Sequence, residues 1–180
     1  MYIVNMATIG TVIEKSVDTI GYIGPQLLTL ASVFLLMDKS TLLVVYWMGF
    51  IINLIVHIIL KVLIAQPRPS EDKRLFNLKM LSGKRVGYDT YGMPSGHSQT
   101  SFYSVAFIHF ALRNSMITLP FLLISLNTMY QRVKYKNHTI GQVVVGAIVG
   151  AGMGYVSLTY GKNLLKGLMR GKKDDNAFTL

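Results

Sequence analysis

From its N-terminus the chain alternates long apolar runs with short polar breaks, and the breaks set the elements. Residues 1–21, MYIVNMATIGTVIEKSVDTIG, mix apolar and polar positions at helical spacing, which predicts an interfacial helix rather than a span. A first span is predicted from Ile23 to Met37, with Pro25 near its start. The second, from Leu42 to Ala65, is the longest apolar run. It must stop at Gln66-Pro67-Arg68-Pro69, where two prolines forbid helix continuation. A polar, basic loop follows, SEDKRLFNLKMLSGKRVGYDTYGM. Three further spans are predicted, Ser95 to Arg113, Met116 to Tyr130 and His138 to Tyr160, before a basic tail, 162–180, expected on the membrane surface. The pattern predicts an all-α polytopic membrane helical bundle, one domain over 1–180, of about five transmembrane helices plus the N-terminal interfacial helix.

Composition agrees with this reading. Only 14% of the 180 residues are charged and 51% are hydrophobic, against about 25% charged in soluble domains. The net charge of +10 would point to nucleic acid in a soluble chain. Here Lys and Arg gather at the ends of apolar runs, so the expected partners are membrane lipids and phosphate groups, and no nucleic acid. There is no cysteine, which excludes disulfides and thiol catalysis. The N-terminus lacks a basic region and a small-residue cleavage site, so no removable signal peptide is expected. Gly146, Gly150 and Gly154 form a small-xxx-small ladder in the fifth span, a packing device for close helix approach.

Five spans put the end of the second, the start of the third and the junction of the fourth and fifth on one membrane face, where the unusual polar residues gather. In KVLIAQPRP, Lys61 and Arg68 stand seven residues apart and share a helix face if the helix persists that far. Asn53 and His57 continue the stripe inward. In YGMPSGHSQ, Ser95 can cap a helix, Gly96 allows close backbone approach, and His97 lies on a first turn whose free N–H groups attract an anion. In QRVKYKNHTIGQV, Arg132 offers a planar fork suited to phosphate, and Gln142 follows His138 by one turn. Each cluster alone reads as snorkelling cations, a plain capped helix or an interfacial histidine. Together they fit phosphoryl transfer: cations and amides hold the oxygens, one histidine attacks, the other protonates the leaving oxygen. Glu71, Asp72 and Asp89 are scattered in the loop with no cluster for magnesium, which favours a metal-free phosphohistidine route and no cofactor.

Lys61 with Arg68-Pro69, then Pro94-Ser95-Gly96-His97, then Arg132 with His138, resemble the three-part signature of the type 2 phosphatidic acid phosphatase superfamily: K-x6-RP, PSGH and SR-x5-H-x3-D. The resemblance covers about Asn53 to Gly154 and implies a helical bundle in which His138 attacks phosphorus and His97 protonates the leaving group. Lys61, Arg68, Arg132, the Ser95 hydroxyl and the Gly96 amide would hold the phosphate oxygens.

Two positions depart from that signature. Gln131 stands where the family has Ser, and Gln142 where it has the Asp that orients the nucleophile. GMPSGHSQ (Gly92 to Gln99) and NHTIGQV (Asn137 to Val143) resemble the dolichyl-diphosphatase branch, in which Gln replaces that Asp. The branch implies a polyprenyl diphosphate substrate and an endoplasmic reticulum membrane with a lumen-facing site. Alternatives are a broader phosphatase of phosphatidate or sphingoid phosphates, and a catalytically silent membrane scaffold, for which Gln142 is the best argument. His109 is expected to serve helix packing, and His57 to stand behind the site.

Overall fold

The computed structural model describes residues 6–70, 85 and 87–165. Most of the basic loop and residues 166–180 of the expected surface tail lie outside them. Among the described residues five α-helices run α1 (Met6–Leu36), α2 (Ser40–Ile64), α3 (Gly96–Leu112), α4 (Ser115–Lys134) and α5 (Ile140–Leu165), and a short 3-10 turn, Gly87–Thr90, precedes α3. The bundle is all-α, and α1, α2 and α5 are long and apolar enough to cross a membrane. At 25 residues, α2 is about 37 Å long, enough for a hydrocarbon core of about 30 Å.

The N-terminal segment differs from expectation. No boundary separates an interfacial helix over 1–21 from a first span: α1 is continuous from Met6 to Leu36, with Pro25 inside it. Packing decides this. Gly21 lies against Asn127 and the Gln131 side chain, and Gly24 against Thr128, so both glycines are points where α1 touches α4. Polar ties reinforce the contact: Asn127 Nδ2 donates to Val17 O (2.8 Å), and Lys134 Nζ pairs with Asp18 (2.8 Å) and Glu14 (2.7 Å).

The helix α3 is the centre of the bundle, packed against all four others. It is polar for a membrane helix, yet Ser98, Gln99, Ser101 and Ser104 are fully buried. Ser98, Gln99 and Ser104 bond to Ser95, Asn53 and Tyr46 rather than facing lipid, while the Ser101 hydroxyl has no partner among the described residues. Tyr103 and Phe107 meet Tyr46 of α2 with ring centroids 5.4 and 5.1 Å apart, and the Tyr103 hydroxyl donates to Tyr46 O (2.7 Å). The glycine ladder does what its spacing predicts. A Cβ on Gly146 would stand 2.6 Å from Ser95 O, and one on Gly154 would stand 2.6 Å from Tyr103 O, so α5 lies backbone-to-backbone on α3. Outward, α2 exposes Trp47, Ile51, Ile55, Ile59 and Leu63, an apolar surface suited to lipid.

Candidate active site

Three chain segments converge at one end of the bundle, and short backbone links hold them together. The helix α2 stops at Ile64 because Ala65 turns left-handed (φ 47°) ahead of Pro67. Arg68 therefore reaches the site from extended chain, not from the same helix face as Lys61. An isolated antiparallel bridge joins Pro67 to Tyr91, and Gly92 N–H donates to Gln66 O (2.7 Å). Ser95 N–H donates to Gln142 O (3.0 Å), tying the start of α3 to α5. On the third segment the Arg132 carbonyl accepts from both Asn137 N–H (3.0 Å) and His138 N–H (3.1 Å). That turn folds His138 back beside Arg132.

A cavity of about 710 Å³ opens where these segments meet. Lys61, Arg68, Gly96, His97, Arg132 and His138 all line it, so six of the eight expected site residues share one space. Ser95 and Gln142 do not line it. Ser95 is fully buried, with its hydroxyl 3.2 Å from that of Ser98, which it caps. Gln142 is buried behind His138.

The cations are held differently. Lys61 is 1% exposed and donates to Tyr91 O (2.7 Å). Arg68 donates through Nε to Asp89 O (3.0 Å), through Nη2 to Asp89 Oδ1 (2.8 Å) and through Nη1 to Asn137 O (3.0 Å). Burial, and then the charge of Arg85, draw Arg68 down to about 10, so it stays charged at neutral pH. Arg132 is 6% exposed, with its guanidinium 5.7 Å from the Tyr22 ring centroid. Its Nε has no partner among the described residues and Nη1 only a 3.5 Å contact with Gln131 Oε1. A buried fork with unused donors on a cavity is a ready anion ligand.

His138 stands on the turn ahead of α5, 2% exposed. Arg68 Nη1 lies 2.8 Å from its Nε2. Arginine can only donate, so Nε2 carries the lone pair and Nδ1 the proton. That proton has two acceptors, Gly92 O at 2.8 Å and Gln142 Oε1 at 3.3 Å. Burial, then the charges of Arg68, Arg132 and Lys61, hold the ring well below the usual histidine range, so it is neutral. A buried neutral imidazole with its lone pair on a cationic cavity is a nucleophile or a base in waiting.

The Gln142 amide is fixed from both ends. Nε2 donates to Gln66 Oε1 (2.9 Å) and Pro67 O (2.8 Å), while Oε1 also accepts from Thr139 N–H (3.2 Å). The end facing His138 is therefore the carbonyl, as tautomer control requires. The shorter bond to Nδ1 comes from the backbone of Gly92, which sequence reasoning did not single out. A Cβ at Gly92 would stand 2.5 Å from the Gln142 amide, so only glycine brings this carbonyl so close.

His57 lines the cavity and its Nδ1 is 3.3 Å from Gln99 Oε1; Gln99 Nε2 in turn donates to Asn53 O and Oδ1, both at 2.9 Å. His109 lies away from the cavity and is exposed, beside Phe110 and 3.2 Å from Thr118 Oγ1 of α4. Residues missed from the sequence include Tyr22, whose ring lies 5.8 Å from that of His97, and the cavity-lining Gln26, Arg85 and Asp89. Nothing in their spacing marks them; α1 and the loop approach the cavity only through the fold.

Away from the cations the cavity runs between α1 and α2, past Pro25 and Leu30 on one side and Leu54 and Phe50 on the other. It thus joins a cationic head to an apolar groove at membrane depth. No curated protein and no solved structure matches the chain. The PAP2 superfamily profile matches residues 42–166, more than half of the chain and inclusive of all three converging segments. The chain therefore belongs to the PAP2 superfamily, as a membrane-embedded phosphatase acting on lipid phosphates.

Proposed function

We propose that the protein removes the terminal phosphate from a polyprenyl, dolichyl-type diphosphate through a phosphohistidine intermediate. The observation that carries this reading is the single cavity lined by Lys61, Arg68, Arg132, His97 and His138 and continued by an apolar groove. The lipid chain lies between α1 and α2 and the diphosphate reaches the cations. As Arg68 Nη1 turns from His138 Nε2 to a phosphoryl oxygen, the lone pair it freed attacks the terminal phosphorus, with the Nδ1 proton held by Gly92 O and Gln142 Oε1. A P–N bond forms as the bond to the bridging oxygen breaks, and His97 gives its proton to that oxygen on the departing lipid monophosphate. Water then gives a proton to His97 and attacks the phosphohistidine. Phosphate leaves with the P–O bond formed, and His138 regains its lone pair. Lys61, Arg68, Arg132 and the Gly96 amide hold the phosphoryl oxygens, so the charge is met without a metal. Ser95 acts through the helix cap that aims the Gly96 amide.

A phosphate leaving group departs more readily than an alkoxide, so a diphosphate tolerates the uncharged orienting pair of Gly92 O and Gln142. The branch resemblance adds an endoplasmic reticulum membrane with a lumen-facing site. The test is phosphate release by purified protein, with a metal chelator present, from polyprenyl diphosphate, phosphatidate and sphingoid phosphate. The expected order puts the diphosphate first, with release abolished in His138→Ala. Preference for phosphatidate overturns the substrate, and unchanged activity in His138→Ala overturns the nucleophile. No release from any lipid by the wild-type protein favours a silent scaffold.

A further inference from the structure

Among the described residues, Asp89 is the acid nearest the cations of the cavity, and neither the family signature nor the proposed chemistry uses it. It sits on the 3-10 turn Gly87–Thr90 and lines the cavity. Its Oδ1 is 2.8 Å from Arg68 Nη2 and 4.0 Å from Lys61 Nζ. Its backbone carbonyl also takes Arg68 Nε–H at 3.0 Å. The two cations are buried, with side chains 2% and 4% exposed, while the Asp89 side chain is 41% exposed. An acid at the cavity mouth thus covers two of the groups expected to hold phosphate.

A guanidinium offers carboxylate and phosphate the same planar fork, so the two anions compete for it. A phosphate reaching Arg68 must displace the Asp89 carboxylate or sit beside it against like-charge repulsion. Either way the exchange of one anion for another gains little. A soluble phosphate has only that exchange to draw on. A lipid phosphate is already confined to the membrane beside the groove, where a high effective concentration offsets weak phosphate binding.

We propose that Asp89 is a specificity-determining residue, whose carboxylate competes with phosphate for Arg68 and Lys61, so that the site rejects free phosphate and soluble phosphate esters and accepts a phosphate carried by a membrane lipid. This rests on the lipid phosphatase reading. It has a second consequence, since inorganic phosphate, the product, meets the same competitor and leaves readily.

The test compares full-length wild type with Asp89→Asn in detergent micelles. Binding of inorganic phosphate and orthovanadate is measured directly by calorimetry. The kcat/KM for para-nitrophenyl phosphate is measured against that for a lipid phosphate. In Asp89→Asn, both anions are expected to bind about tenfold tighter, and the activity ratio is expected to move toward the soluble ester. Asp89→Ala replaces it if the first variant does not fold, because the residue 89 carbonyl still meets Arg68 Nε. Unchanged or weaker phosphate binding overturns the proposal, since Asp89 would then serve only to position Arg68. The two readings fail separately. Wild type hydrolysing lipid phosphates while Asp89→Asn binds phosphate no tighter sinks the role of Asp89 alone. Tighter phosphate binding in Asp89→Asn, with no wild-type activity on any lipid, sinks the lipid phosphatase reading alone.

Discussion

At the scale of single residues, the arrangement around His138 turns on who donates and who accepts. Gln142 Nε2 gives hydrogen bonds to two acceptors, Gln66 Oε1 and Pro67 O. Gln142→Glu would aim a carboxylate oxygen at both, at a cost of about 2–4 kcal/mol at neutral pH. The variant should melt lower than wild type at pH 7 and recover toward pH 5, where the new acid gains a proton and becomes a donor. Equal melting at both values would contradict this hydrogen-bond assignment. The neutral state of His138 has its own signature. Its folded pKa lies below the ordinary value of about 6.5, so on acidification the unfolded chain takes up the proton first. The contribution is complete above about pH 6.5 and is lost as pH falls toward the folded pKa, at up to about 1.4 kcal/mol per pH unit. Stability against pH should show a shallower acid slope in His138→Asn than in wild type, and an unchanged slope would disprove a depressed His138. The side chains of this site were legible in the sequence because phosphate chemistry needs those residue types, and their order resembles the family signature. The Gly92 carbonyl was not, since every residue carries one and only the fold aims it.

At the scale of elements, α1 matters most, because it lies outside residues 42–166 and still walls the cavity. Its Tyr22 ring touches both the His97 ring and the Arg132 guanidinium. Ring contacts of these kinds are each worth about 1 kcal/mol. Tyr22→Ala should therefore lower kcat/KM on a lipid phosphate about tenfold, with Tyr22→Phe keeping most of the activity. Equal loss in both variants would move the role from the ring to the hydroxyl. The sequence pattern located the ends of α2 to α5 within a few residues, because prolines, caps and apolar runs are local signals. It divided α1 wrongly because residues 1–21 mix polar and apolar positions, and only contact with α4 shows that stretch to be a packing seam. It put Lys61 and Arg68 on one helix face only if the helix persisted past Ala65; α2 ends at Ile64 and the two meet through the Pro67–Tyr91 bridge.

At the scale of the whole molecule, a central helix with buried polar side chains packs against the four others, three of them apolar enough to span a membrane, and the cavity opens at one end and on one side. The overall class was legible because a membrane chain must bury its backbone in helices. The side on which the cavity opens was not, since it depends on how loosely α1 and α2 face each other. Depth along that opening carries a consequence of its own. From Lys61 back to Phe50, the groove follows α2 for about 16 Å, roughly half of a hydrocarbon core of about 30 Å. The groove is thus as deep as one leaflet, and the opposite leaflet lies beyond its floor. In sealed vesicles with the protein inserted in one direction, phosphate release should stop at the share of substrate held in the leaflet on the cavity side. It should resume when a lipid scramblase is added. An enzyme built this way reads the sidedness of a lipid as well as its headgroup, and its rate in a cell is set by whatever carries the substrate across.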